Sequence, residues 1–250
     1  MVIFTLLIVF KYKTDILYGS DKDLEYSYNW SNNLLNYPTK IITDINDEEI
    51  TLNNFKKELF NLPDNISKLI VYYSGHGIND SILLPDNNLL SFEDFKKYLL
   101  SKLHIYTEIF MILDCCNATG LNLPYKLEDN NFRLQKNSLY CITNPFLLIT
   151  SSVLNENAIS TKEDGSGFSK ILFKKLTDFS LLNTVSNNNN RNLNRLKKEI
   201  SSEIKKIYKG YYQTISIYSS YKIDPILWMW IGRKTDISIN YDLNSIIIRK

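Results

Sequence analysis

Disulfide-forming cysteine is nearly absent from this 250-residue chain, which carries only three cysteines, two of them adjacent. An odd count with two neighbours makes a poor disulfide framework and fits a reducing compartment, so a cytoplasmic location is expected. Charge of one sign is missing too: the formal net charge is +2, and Lys, Arg, Asp and Glu are interspersed along the chain. That excludes a nucleic-acid binder working by phosphate neutralisation. No apolar run is long enough to span a bilayer. The opening MVIFTLLIVF is ten residues with its charge after it and no small-residue cleavage site, so it reads as a buried first strand and no membrane partner is expected. Internal repeats and domain boundaries are also missing. With 44% hydrophobic residues, residues 1–250 are read as one domain with a full core.

What is present centres on two apolar runs, LIVYYSGHG (69–77) and IFMILDCCNATG (109–120). Each is nearly continuous in β-branched, aromatic and aliphatic residues, as in a strand of a parallel sheet buried on both faces. The first ends in His76 and the second in Cys115 and Cys116. Between them Ser91 and Asp94 form a capping-box signal ahead of the amphipathic stretch FEDFKKYLLSKL. A strand, helix, strand crossover sets its strands parallel and close, so His76 and Cys116 are expected at the same rim of the sheet. Gly75 and Gly77 leave the backbone around the histidine free to turn and to approach a ligand.

The rest of the chain alternates in the same way. VIFTLLIVF and PTKIITD read as strands, DLEYSYNWSNNLLN as a loosely patterned helix, and TLNNFKKELFNLP as a helix capped by Thr51. FLLITSS and QTISIYSS are further strands, with the latter as the sixth; FSKILFKKLTDF and NLNRLKKEISSEIKKIYKG are helices. Two more strands are expected in the tail, 224–250. Residues 117–145 read as a long polar connection without periodicity. The pattern predicts an α/β protein with a mostly parallel sheet and helices on both faces.

A thiol attacks carbonyls as its thiolate, so a catalytic cysteine needs a basic neighbour that takes its proton and later returns one to the leaving group. His76 supplies both functions to Cys116. In an extended strand Asp114 and Cys116 share one face and Cys115 the other, so Cys115 is the packing residue. Asp114 makes sense as the floor of a pocket for a cationic substrate group. The backbone N–H groups of Gly77 and Cys116 are candidates for the oxyanion hole. A lone histidine or cysteine is usually structural; here both end buried strands one helix apart. A metal site built from Cys115, Cys116 and His76 is the competing chemistry, but adjacent cysteines point apart and no C-x-x-C or H-x-x-x-H pair completes it, so no metal is expected. His104 reads as incidental.

YYSGHG followed, after a helix and a strand, by DCCNATG resembles the caspase-like cysteine peptidases, particularly their metacaspase and paracaspase branch. The likeness runs in element order over about residues 3–220. It implies the three-layer caspase-hemoglobinase fold, with a six-stranded sheet. Residues 1–116 would correspond to the large-subunit part, 117–145 to the intersubunit linker, and 146–250 to the small-subunit part with a C-terminal extension. LYGSDKD resembles the metacaspase stretch Leu-x-Gly-Cys-x-Asn-Asp, which places Asp23 on its acidic position and Ser20 on its second cysteine.

By this resemblance Cys116 is the nucleophile, His76 the general acid/base, Gly77 and Cys116 the oxyanion donors, and Asp23 with Asp114 the lining of the P1 pocket. Acids there imply a cysteine endopeptidase that cuts peptides after Arg or Lys; a monomer is expected over a dimer, and the linker position of 117–145 makes self-cleavage at Lys126, Arg133 or Lys136 an expectation. The chain departs from the family at Cys115 and Asn117, where metacaspases usually read Ser or Cys and then His. GINDSILLPD, after His76, lacks the acid-rich segment associated with calcium, so Ca2+ is the one cofactor to test and none is implied outright. The alternatives are a catalytically silent relative that binds or decoys, and an unrelated doubly wound ligand-binding domain.

Overall fold

A run of consecutive apolar residues can be buried along both faces only between two covering layers, and β1 (Ile3–Val9) is such a run. The computed structural model describes residues 2–46, 48–135, 144–181, 192–209 and 211–223. After β1 comes α1 (Ser20–Tyr28), which continues as a π-helical segment, Asn29–Leu34. β2 (Thr39–Thr43) and α2 (Leu52–Phe60) follow, and the Thr51 hydroxyl accepts the Asn54 N–H as the cap of α2.

β3 (Lys68–Ser74) is buried at every residue. The short stretch after His76 folds into a three-stranded antiparallel patch of β4 (Gly77–Ile78), β5 (Ser81–Leu83) and β6 (Leu89–Ser91). α3 (Phe92–Leu100) starts on the Ser91 cap, which takes the Asp94 N–H, and leads into β7 (Glu108–Asp114). Beyond it lie β8 (Tyr125–Glu128), β9 (Asn131–Leu134) and β10 (Phe146–Thr150). The small hairpin β11 (Ser160–Thr161) and β12 (Gly165–Ser166) precedes α4 (Gly167–Leu181) and α5 (Leu193–Ile207). β13 (Ser216–Ser219) closes the order.

The main sheet runs β2-β1-β3-β7-β10-β13-β8-β9. Its first five strands are parallel, and β13, β8 and β9 add antiparallel pairings at one edge. The first six strands are those expected; β8 and β9 extend the sheet to eight. They lie within the stretch read as a structureless connection. Tyr125 and Leu127 point into the core opposite Phe132, while Lys126 and Glu128 face outward. Four residues of alternation around Asp129 are too few to stand out as a period. The expected strands of 224–250 lie outside the described residues.

Alternation sends each strand's side chains to two separate cores. Leu69, Val71 and Tyr73 of β3 join Ile109, Met111 and Leu113 of β7 against Phe55, Leu59, Phe95 and Leu99 of α2 and α3. Ile70, Tyr72, Phe110 and Ile112 pack on the other face against Trp30, Phe168, Leu172, Leu196 and Ile200. Helices therefore cover both faces, as expected. No described helix is long and apolar enough to cross a membrane.

Phe132 is 3% exposed in the second of these cores. Phe132→Ala should destabilise the protein by about 3 kcal/mol in urea denaturation; a loss below about 1 kcal/mol would mean that the hairpin is not packed onto the sheet.

Candidate active site

β3 and β7 pair in parallel over seven residues, from Lys68 with Glu108 to Ser74 with Asp114. His76 and Cys116 each stand two residues beyond that last pair, so both leave the sheet at the same carboxyl-terminal rim. Gly77 binds the two ends together. A Cβ at Gly77 would lie 2.0 Å from the Cys116 carbonyl oxygen and 3.0 Å from Cys115 Sγ. Only a residue without a side chain fits that approach.

His76 is oriented by the β1–α1 loop. Its Nε2 lies 2.8 Å from the Asp15 carbonyl oxygen, with Asp15 Oδ2 at 3.6 Å. A carbonyl only accepts, so Nε2 carries the hydrogen and the neutral ring keeps its lone pair on Nδ1. The His76 carbonyl takes the Leu83 N–H at 3.0 Å and the Tyr73 hydroxyl at 2.9 Å. Nothing in the sequence pattern singles out Asp15, because it acts through its backbone and across 61 residues.

Cys116 is half-buried and its sulfur accepts the Ala158 N–H at 3.3 Å. Cys115 is buried in the α2/α3-side core, where burial pushes its thiol well above the usual range. The turn after the cysteines is held by Asn117, in the left-handed region at φ 54. Its Nδ2 donates to the Gly77 carbonyl, its Oδ1 accepts from Asn155 N–H, and its own N–H goes to the Glu156 carbonyl. Asn117 thus ties the histidine loop to residues 153–158. Ser152 completes the support by donating to the Cys115 carbonyl at 2.7 Å.

Asp23 and Asp114 come together on the α1/α4 side of the sheet, 0% and 3% exposed. Asp23 accepts the Ser74 hydroxyl and the Ser166 N–H, each at 2.7 Å. Asp114 accepts the Ser169 hydroxyl, which also meets Tyr72. Ser20, one helical turn before Asp23, is 1% exposed and its hydroxyl finds no partner among the described residues. No Lys or Arg nitrogen among the described residues lies within ion-pairing distance of either acid. Burial, and then the charge of Asp114, pushes the Asp23 carboxyl up from its ordinary 3.8 to about 8. Burial raises Asp114 as well. Among the described residues no group of three or more His, Cys, Asp or Glu is placed to hold a metal ion.

The family model for the caspase domain matches residues 5–222. No curated protein matches the chain.

The raised Asp23 carboxyl sets the direction of one pH effect. Between pH 3.8 and about 8 the folded state holds a proton that the unfolded state has released, so stability falls as pH rises across that window. Asp23→Asn, which keeps an acceptor for Ser166, should shrink the drop in Tm between pH 5 and pH 8. An unchanged drop would mean that Asp23 is ionised throughout.

Proposed function

Since the chain belongs to the caspase-domain family, we propose that it is a cysteine endopeptidase of the metacaspase-like kind that cuts after Arg or Lys, with Cys116 as nucleophile and His76 as general acid/base. The observation that carries this reading is the 2.8 Å contact of His76 Nε2 with the Asp15 carbonyl, from which the tautomer follows. With Nε2–H donated to Asp15, the free lone pair on Nδ1 can take the Cys116 thiol proton.

The thiolate then attacks the scissile carbonyl carbon, forming a C–S bond and an oxyanion. Protonated His76 gives its proton to the amine as the C–N bond breaks, leaving a thioester. Water, deprotonated by His76, attacks that thioester; the C–S bond breaks and the thiol recovers its proton. The Gly77 N–H suits the oxyanion: Leu83 N–H bonds the His76 carbonyl, so antiparallel alternation turns the Gly77 N–H away from β5. Cys116 N–H is the second donor in this reading.

Preference for a basic P1 side chain follows from Asp23 and Asp114. Without a cation beside the pair, burial and the charge of Asp114 keep Asp23 protonated; a guanidinium or ammonium group would let both acids ionise and would pair with them. Incubation with an arginyl chloromethyl ketone should alkylate Cys116 in the wild type and not in His76→Ala, with and without calcium. Arginine peptides should be cut at least tenfold faster than matched aspartate peptides. Equal labelling of both proteins would point to a silent relative that binds without cleaving, and faster cutting after aspartate would overturn the pocket assignment.

Within 117–145 the β8–β9 pairing favours one position for self-cleavage. Lys126 and Arg133 face each other in the β8–β9 ladder, and Lys126 also pairs with Tyr218. Paired strands do not fit a protease cleft, which takes an extended single chain. Lys136, outside the described residues, is the cut we propose. Intact-mass analysis of the wild type and Cys116→Ala over a long incubation with calcium should show a wild-type cut after Lys136. Unchanged wild-type mass refutes self-processing, and cuts at Lys126 or Arg133 refute the ladder's protection.

A further inference from the structure

His76 is held through its backbone as well as its ring, and Tyr12 does the holding. The His76 N–H donates to the Tyr12 hydroxyl at 2.7 Å, and that hydroxyl donates its own hydrogen to the Leu83 carbonyl at 2.9 Å. The Tyr12 ring lies against the imidazole, centroids 4.5 Å apart and planes tilted by 37°. Three further features are built around this contact. Gly75 leaves room for it, since a Cβ there would lie 2.5 Å from the Tyr73 hydroxyl oxygen and 2.6 Å from that of Tyr12. Tyr12 adopts φ 64, a left-handed conformation that is uncommon for an aromatic residue. Asp44 fixes that conformation by accepting both the Lys11 and Tyr12 N–H groups, at 2.6 and 2.8 Å.

We propose that the Tyr12 hydroxyl is a positioning group for peptide hydrolysis, fixing the peptide plane from which the imidazole hangs so that Nδ1 faces the Cys116 thiol. This rests on the peptidase reading above. Tyr12 is 4% exposed and burial holds its phenol above the usual range, so it stays a neutral group that both donates and accepts. Tyr73 supplies an internal contrast. It donates to the His76 carbonyl, which the Leu83 N–H also satisfies, whereas the only partner of the His76 N–H among the described residues is Tyr12.

The test compares Tyr12→Phe, Tyr73→Phe and wild type on an arginyl peptide, with kcat and KM measured separately and Cys116 alkylation by iodoacetamide followed by mass. Tyr12→Phe should lower kcat about tenfold with KM within twofold, and slow Cys116 alkylation to a similar extent, while Tyr73→Phe should lose less than threefold. A folded Tyr12→Phe protein with kcat within twofold of wild type overturns the positioning role, as does an equal loss in both variants. If Tyr12→Phe does not fold, Asp44→Asn, which loosens the same loop and keeps the phenol, must show the same loss in kcat; an unchanged kcat overturns the proposal. Wild-type alkylation at Cys116 that is indifferent to His76→Ala is a separate result: it defeats the peptidase reading, and the role of Tyr12 falls with it.

Discussion

The parallel register of β3 against β7 is the constraint on which the rest of the site depends. Because Ser74 pairs with Asp114, every residue downstream on one strand has a counterpart at the same height on the other. His76 and Cys116 inherit their proximity from that pairing, and the close approach of Gly77 to Cys116 seals it. A slip by one residue would turn the alternating faces over, sending Asp114 towards α2 and α3 and Cys115 towards α4. The two apolar cores forbid the slip, since each face of each strand has its own partner layer. Packing energy on both sides of the sheet is thus what holds the ends of β3 and β7, with His76 and Cys116 beyond them, side by side at its edge.

The same register divides the site into two halves of different chemistry. On the α2/α3 side, the Tyr12 and Tyr73 hydroxyls hold the backbone of His76, while the Asp15 carbonyl and carboxylate meet its ring. On the α1/α4 side, Ser74, Ser166 and Ser169 surround two carboxyls, an environment that accepts anions only with cost. Asp23 and Asp114 are kept there by hydrogen bonds to the charged form and opposed by desolvation, and desolvation is the larger effect on both. A buried acid pair of this kind is poor design for stability alone. On the peptidase reading, a basic side chain of the substrate would offset that cost.

Much of this was readable from residue order. Strands buried on both faces read as unbroken apolar runs, so β3 and β7 are plain, and alternation puts Cys115 in the core and Asp114 on the opposite face. Helix caps at Thr51 and Ser91 were readable because the capping residue and the first turn are neighbours in sequence. What escaped were contacts that cross the chain. Asp15 and Tyr12 reach His76 from 61 and 64 residues away, through a carbonyl and a phenol in a loop with no period. Asn117 looked like a departure from a family pattern; in the structure it is a three-way tie between loops. The β8–β9 hairpin was hidden because its alternation is short and its turn, Asp129 at φ 53, sits among polar neighbours.

One segment touches both halves. Residues 153–166 give the Ala158 N–H to Cys116 Sγ, the Glu156 carbonyl to Asn117 and the Ser166 N–H to Asp23, and Glu156 also binds the Thr214 N–H through its carboxylate. Gly19 and Gly165, both at positive φ, pack so closely that a Cβ on either would meet backbone at under 3 Å. The acids are therefore sealed by the same stretch of backbone that contacts Cys116. On the peptidase reading, the acids for the substrate's basic side chain and the thiol that attacks are served by one continuous stretch, since the strand carrying Ser166 runs on from the loop at Cys116.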